Sequence, residues 1–458
     1  MHVAGAAVRA ADAREQRVDL GALQAGAKLD KLPAPRGRTK AEQVEESLRK
    51  LVIAAALVLA FASELRAQES IKIGLILPLT GNAASAGQQS KAAVELGAEI
   101  VNNAHPELGA LPLAAGAGLP NLHGAKLEIV TADNQGNPSV GQNQALRLIT
   151  QDQVVAIEGA YQSSVTLAAT AVAERYGIPW VIGDSVAANI TQRGFHWIFR
   201  VTPIATDFAN NYMEFLNQLK KAGHPIGSIG IVYENTDYGT SVAGSLREAA
   251  RNAELPVSVD VPYNANTTDV SSQVLQLKDK KPDAIIFVSY TADTILYMKT
   301  LKNLDYRPAM IIGDDSGFSD PAFIANVGFI AQGAMNRSAW DVGKPGSVTA
   351  KINDMFKAKT GFDLDDTSAR NMQALFMLAD AVNRAGSTKP DAIQKALQQT
   401  ELKPEQLMMG YRGVKFDATG QNVLAATYLI QLQGTRYVAV WPEQSAAAKL
   451  IYPFKGWQ

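Results

Sequence analysis

The sequence predicts a two-lobed α/β protein. Three observations carry this. Short apolar runs, the signature of buried strands, alternate with amphipathic helical patterns. The alternation runs to about Arg200 and then starts a second block that ends near residue 313. From about Ser347 three helical patterns follow one another, so the chain crosses back to pack on the earlier block.

Ile71 to Leu77 (IKIGLIL) reads as a buried strand closed by Pro78, and a helix follows from about Gly87 to Asn103 with Ala93, Leu96, Gly97 and Ile100 on one face. Residues 104–124 hold Pro and Gly throughout and read as an inserted loop. A strand at 126–131 and a helix at 139–151 lead to the most informative stretch, Val154 to Asp184. Here an apolar run meets Gly159, a pair of serines opens a helical pattern, Gly177 stops it, and Ile178 to Ile182 begins a further strand. Ser163 or Ser164 can cap the free amides of that helix, or the same hydroxyls and amides can hold a small carboxylate.

In the second block, helices are expected at 207–222, 239–253, 270–280 and 292–304, with strands at 228–233, 256–261, 284–288 and 309–313. Helices at 347–359, 368–385 and 389–399 come next, then strands near 411–416 and 425–432. In such a two-lobed protein the binding crevice lies between the lobes at the carboxyl ends of the strands.

Near the start, Arg49-Lys50 precedes the apolar run Leu51 to Ala62, too short for a bilayer but fitting the core of a secretory signal, with cleavage after Ala67 or Ala62. Residues 1–46 read as an over-long start, 47–67 as the signal peptide. The mature chain is therefore expected to be exported and soluble in a periplasm. With no cysteine, disulfides, thiolate metal sites, a cysteine nucleophile and a lipid-modified N-terminal cysteine are excluded. The five histidines lack ligand spacing, so no metal is expected. A net charge of −1 offers no basic field for nucleic acid. Neither G-x-G-x-x-G after a strand, P-loop, G-x-S-x-G nor H-E-x-x-H occurs, so neither an enzyme nor a cofactor is expected.

Strand-to-helix junctions carry the polar residues. Asp133 to Pro138, Glu234 to Gly239 with Tyr238, Tyr290, and the pair Asp314-Asp315 all close strands in the same topological position. Together they place hydroxyls, aromatics and an acidic cluster around one crevice, the layout of a site for a small zwitterion or carboxylate.

In its ordered set IKIGLILPLTG, ADNQGNPSVG, GAYQSSVT, RYGIPWVIGDSVAANIT, FRVTP, YENTDYG, PDAIIFV and IIGDDSG, the chain resembles the periplasmic binding proteins of the leucine/isoleucine/valine type, over roughly Ile71 to Phe416. The resemblance implies two Rossmann-like lobes with mostly parallel sheets and three hinge crossings, near Pro203, Ser338 and Tyr411 to Phe416. Lobe 1 would comprise 70–203 and 338–410, lobe 2 204–337 and 411–445, with 446–458 as a tail. It implies a monomer that binds an amino acid or related carboxylate and hands it to the membrane permease subunits of an ABC importer. Ser163 matches the serine that holds the ligand carboxylate, with Tyr161 and Ser164 beside it, and Asp184, Ser185 and Val186 match a segment giving further contacts. Tyr238 matches the aromatic that closes from the second lobe, Tyr290 a cleft-lining aromatic, and Asp315 the acid that pairs with the α-ammonium. Three positions depart from the pattern. Ala86 stands for a tyrosine and enlarges the pocket, Val186 stands for a threonine, and Ala205 stands for an aspartate, with Asp207 two residues on. Branched-chain amino acids, aromatic acids, short amides and urea all fit this reading.

Overall fold

A computed structural model describes Leu48, residues 70–314 and residues 316–457. Apart from Leu48, the expected signal segment and the extension before it lie outside the described residues, as does Asp315.

The first sheet is built from β1 (Ile71–Leu77), β2 (Leu127–Asp133), β3 (Ala156–Gly159), β4 (Trp180–Ile182) and β5 (Ile198–Arg200), all parallel, in the order β2-β1-β3-β4-β5. Its helices are α1 (Ala84–Asn102), α2 (Pro138–Thr150) and α3 (Ser163–Tyr176). A parallel sheet needs cover on both faces, and the alternating side chains of β1 supply both. Leu75 and Leu77 pack with Leu96, Ile100 and the later helix residues Leu375 and Leu378. Ile76 packs the other way, with Ile157, Trp180, Val165 and Ala169.

The second block supplies α4 (Ala205–Lys221), β6 (Ile229–Glu234), α5 (Asp237–Asn252), β7 (Val257–Tyr263), α6 (Ser271–Lys280), β8 (Ala284–Val288), α7 (Thr291–Asn303), β9 (Ile311–Asp314), α8 (Ser316–Ser319), α9 (Pro321–Val327) and β10 (Met335–Ser338). Then come α10 (Val348–Thr360), α11 (Asp366–Ala385), α12 (Pro390–Gln398), the short pair β11 (Glu401–Leu402) and β12 (Val414–Lys415), and finally β13 (Tyr428–Gln433) and β14 (Arg436–Trp441). The second sheet runs β14-β13-β10-β9-β8-β6-β7. Its first four partnerships in chain order are parallel, and β13 and β14 add on antiparallel. The fold is the expected α/β class with mostly parallel sheets.

The elements missed from sequence are the short β5, β10 and β11, the small helices α8 and α9, and the six-residue β14. The 104–124 stretch, expected to be an inserted loop, is not purely solvated, because Leu108, Leu111, Ala114 and Leu119 are buried in the first lobe's core. α11 returns to that lobe and packs so closely on α1 that a Cβ on Gly97 would stand 3.1 Å from Leu375 and 3.2 Å from Met372.

The chain passes between sheets three times, after β5, after β10 and before β13. The last passage lies later than expected. Tyr411, Val414, Phe416 and Ala425 pack in the first lobe's core, and the Arg200 amide donates to the Gly420 carbonyl at 2.8 Å. Residues 411–425, expected in the second lobe, thus belong to the first, because the apolar side chains of this stretch face β5 (Phe199 on Phe416, 5.2 Å between ring centres). Nor are residues 446–457 a loose tail, since Phe454 is buried in the second lobe and its amide donates to the Ala309 carbonyl.

Candidate functional site

Strand order decides where a crevice can form. In the first sheet the order reverses between β1 and β3, and in the second between β6 and β8. Loops leaving neighbouring strands at such a point diverge to opposite faces and leave a gap. The two gaps face each other here. A cleft of about 400 Å³ is lined from the first lobe by Thr80 to Ala83, Gln135, Gly136, Gln162 and Ser164. From the second it is lined by Thr236, Ala265, Asn266, Tyr290, Ala292 and Asp293. Each lobe lets a helix come unusually near its strand end. A Cβ on Gly87 would stand 2.0 Å from the Pro78 carbonyl oxygen, and one on Gly239 1.9 Å from that of Glu234.

The lobes touch across this cleft. Asn82 donates to Asn266 (2.6 Å), Ser85 donates to Asp320 (2.7 Å), and the Ala188 amide donates to the Ser241 hydroxyl (3.1 Å). At the seam three tyrosines stack. The Tyr290 ring lies 5.5 Å from that of Tyr161 in the first lobe and 5.2 Å from that of Tyr238 in the second. Those separations suit attractive tilted aromatic pairs.

Among the sequence-expected residues, Tyr161, Ser164, Tyr238 and Tyr290 come together at this seam. The serines do not cap α3. Gln162 occupies the N-cap position, and the serines fall on the first turn. Ser163 is buried and its hydroxyl accepts from the Ala187 amide at 3.3 Å, whereas Ser164 faces the cleft. Ser185 is committed to the interior: its hydroxyl donates to the Ala160 carbonyl (2.6 Å) and pairs with Thr166 (2.5 Å). Val186 is buried against the second lobe's core. Asp207 caps α4 by accepting from the Ile204 amide (3.0 Å), so it does not take the place of the acid missing at Ala205.

Asp184 is held by Arg370, 2.5 Å between Oδ1 and Nη2. That contact opens a chain of buried charges. Arg370 reaches Asp366 (3.0 Å), Asp366 reaches Arg337 (3.5 Å), and Arg337 reaches Asp314 (3.4 Å). Asp314 accepts from the phenols of Tyr212 (2.5 Å) and Tyr238 (3.0 Å). Sequence reasoning singled out the Asp314-Asp315 pair and Asp184 but missed Arg337 and Arg370. The four-residue spacing of Asp366 and Arg370 on a helix was the available signal. Arg337 sits on a strand too short to recognise.

Two further carboxylates stand at the second lobe's rim. Glu234 accepts from the Thr236 amide and hydroxyl and from the Gly239 amide, yet burial still raises its pKa. Asp293 accepts from the Tyr263 phenol (3.2 Å), and burial, with the Glu234 charge nearby, pushes it up to about 6.

Comparison with known proteins fits this geometry. The model of the periplasmic binding protein family matches residues 70–436. The chain belongs to this family. It is a type I periplasmic binding protein of the leucine/isoleucine/valine type. A relative, Leu/Ile/Val-binding protein homolog 8 of Brucella abortus (strain 2308), is 32% identical over 424 residues, 88% of this chain and 99% of the relative. Homolog 7 of Brucella suis biovar 1 (strain 1330) is 28% identical over 89% of this chain and 100% of its own length. Among solved structures, the branched-chain amino acid transporter substrate binding protein of Streptococcus pneumoniae, in complex with isoleucine, superposes with a TM-score of 0.67 at 21% identity. It covers 84% of this chain and 100% of that one. A solute binding protein of an ABC transporter from Rhodopseudomonas palustris BisB5, in complex with 3,4-dihydroxybenzoic acid, gives a TM-score of 0.67 at 18% identity, over 84% of this chain and 98% of that one. Among the described residues of this periplasmic binding protein, no cluster of metal-ligating side chains occurs and no helix is long and apolar enough to cross a membrane.

Proposed function

We propose that this periplasmic binding protein is the exported receptor of an ABC importer of the branched-chain amino acid type. It binds a small carboxylate or amino acid between its lobes and delivers it to the permease. The observation that carries this reading is the cleft itself, formed where the switch points of both sheets meet and closed by Tyr161, Tyr238 and Tyr290. A ligand carboxylate docks first at the start of α3, where backbone amides and the Ser163 and Ser164 hydroxyls gather and the helix dipole favours negative charge. The second lobe then closes, and contacts available only in the closed form shift the population toward it. Asp184 and Val186 serve as backbone supports of the ligand segment, and Asp315 as the acid that meets an ammonium.

The test is mass spectrometry of small molecules released from freshly purified protein by gentle denaturation, followed by calorimetry with whatever is found. Release of an amino acid or carboxylate that rebinds unaltered supports the receptor. Silence of calorimetry and thermal shift across a broad library of metabolites sinks it.

A second reading, a receptor for aromatic acids, is favoured by the tyrosine seam, which offers ring faces where a branched aliphatic chain needs only apolar cover. The dihydroxybenzoate held by the Rhodopseudomonas palustris neighbour is in line with it. Preference for benzoates over leucine in the same calorimetry separates the two.

A further inference from the structure

Much of the cleft wall around Tyr290 is polar, with Thr80, Asn82, Gln135, Gln162, Thr236 and Asn266 among its lining residues. Two buried acceptors line the cleft from opposite lobes. Gln162, at the head of α3, is only 8% exposed, and its Oε1 has no hydrogen-bond partner. Its amide nitrogen end is hemmed in by Gly136, where a Cβ would stand 3.1 Å from Nε2. Asp293, on the first turn of α7, is 4% exposed and receives one phenolic hydrogen bond, from Tyr263. The charged group that acts on Asp293 is acidic, Glu234, and among the described residues no cation offsets the pair. A buried acceptor without a donor and a buried carboxylate without a cation are each costly. Both costs are relieved by one kind of guest, a group that is positively charged and rich in N–H donors. The ring of Tyr290 on the same wall adds a face on which a cation can rest.

We infer that Gln162 and Asp293 form a second subsite within the cleft, where together they take the protonated amine or guanidinium at the far end of an elongated solute. This inference rests on the receptor reading above, and it moves the solute class from short branched-chain residues toward cationic ones. A guest bridging Gln162 and Asp293 contacts both lobes at once, so its tail reinforces closure.

The test compares L-lysine with L-norleucine, the same backbone with and without the terminal ammonium, by calorimetry on the mature chain at pH 7.5. L-lysine is expected to bind at least tenfold more tightly than L-norleucine. Asp293→Asn is expected to cut that ratio about tenfold, and Gln162→Met about threefold, the latter reading the same ratio if the former fails to fold. L-norleucine binding as well as L-lysine, or a ratio that neither variant moves, overturns the subsite and leaves the receptor standing. Failure of both amino acids to bind overturns the amino-acid reading and this inference with it.

Discussion

Arg337 on β10 and Asp366 at the head of α11 face each other across the passage between the lobes, 3.5 Å apart, with side chains 1% and 3% exposed. Asp366 also accepts from the amides of Ala339 and Trp340, so it anchors the strand exit as well as the guanidinium. Removing one partner of a buried pair strands the other charge, at a cost of about 3–5 kcal/mol. Asp366→Ala is therefore expected to lower the unfolding free energy by about that amount, read from urea denaturation. A loss under about 1 kcal/mol would mean the passage is not held by this pair.

Glu158 presents the opposite case. It lies in the middle of β3, wholly buried, with neither carboxylate oxygen hydrogen-bonded, and burial raises its pKa well above the usual range. A raised acid binds its proton more tightly folded than unfolded, so its contribution to stability falls as pH rises above the unfolded value, by about 1.4 kcal/mol per unit. Glu158→Gln removes that penalty. The variant is expected to be more stable than wild type at pH 7 to 8, by about 1–3 kcal/mol, with the gain vanishing near pH 4. Thermal unfolding at both pH values checks it.

Asp293, pushed up to about 6 by burial, gives a second pH signature. Its folded pKa of about 6 exceeds the ordinary 3.8, so wild type loses stability relative to Asp293→Asn as pH rises through the window from 4 to 6, and the difference levels off above it. Paired melting curves across that range are the measurement.

Tyr290 touches a tyrosine of each lobe, and aromatic pairs of this kind contribute about 0.5–1.5 kcal/mol each beyond burial. Tyr290→Ala is expected to shift the lobes toward the open form and raise the radius of gyration in small-angle scattering. An unchanged profile would show that the seam does not hold the lobes together.

Ser163 reads on the ligand itself. Loss of one charge-assisted hydrogen bond should weaken a carboxylate ligand by about 1–3 kcal/mol in Ser163→Ala, measured by calorimetry. Unchanged affinity would remove the Ser163 hydroxyl from the site and leave the carboxylate to Ser164 and the amides of α3.

Much of this was legible because parallel sheets write a repeating signal. β1, β8 and their helices announce themselves as apolar runs and periodic faces, and the polar residues at strand ends follow from topology. Tyr238 and Tyr290 are read from such strand ends, Ser164 from the start of a helical pattern, and Tyr161 from the family resemblance. The misses share a cause. β10 is a four-residue strand reading MNRS, and its burial depends on partners supplied by Asp314 and Asp366, which no local window reveals. Gln162 and Asp293 look like ordinary surface residues until two distant loops close around them. Residues 411–425 carry strand-like apolar positions, but which lobe they serve is settled only by packing against Phe199 and Arg200.

The late return of residues 411–425 has a bearing on how this chain is made. The first lobe opens with β1 but lacks Val414, Phe416 and Ala425 until nearly all of the polypeptide has emerged. The first lobe's core is therefore completed only late in synthesis, and its early segments stay unfinished while later ones are still being added.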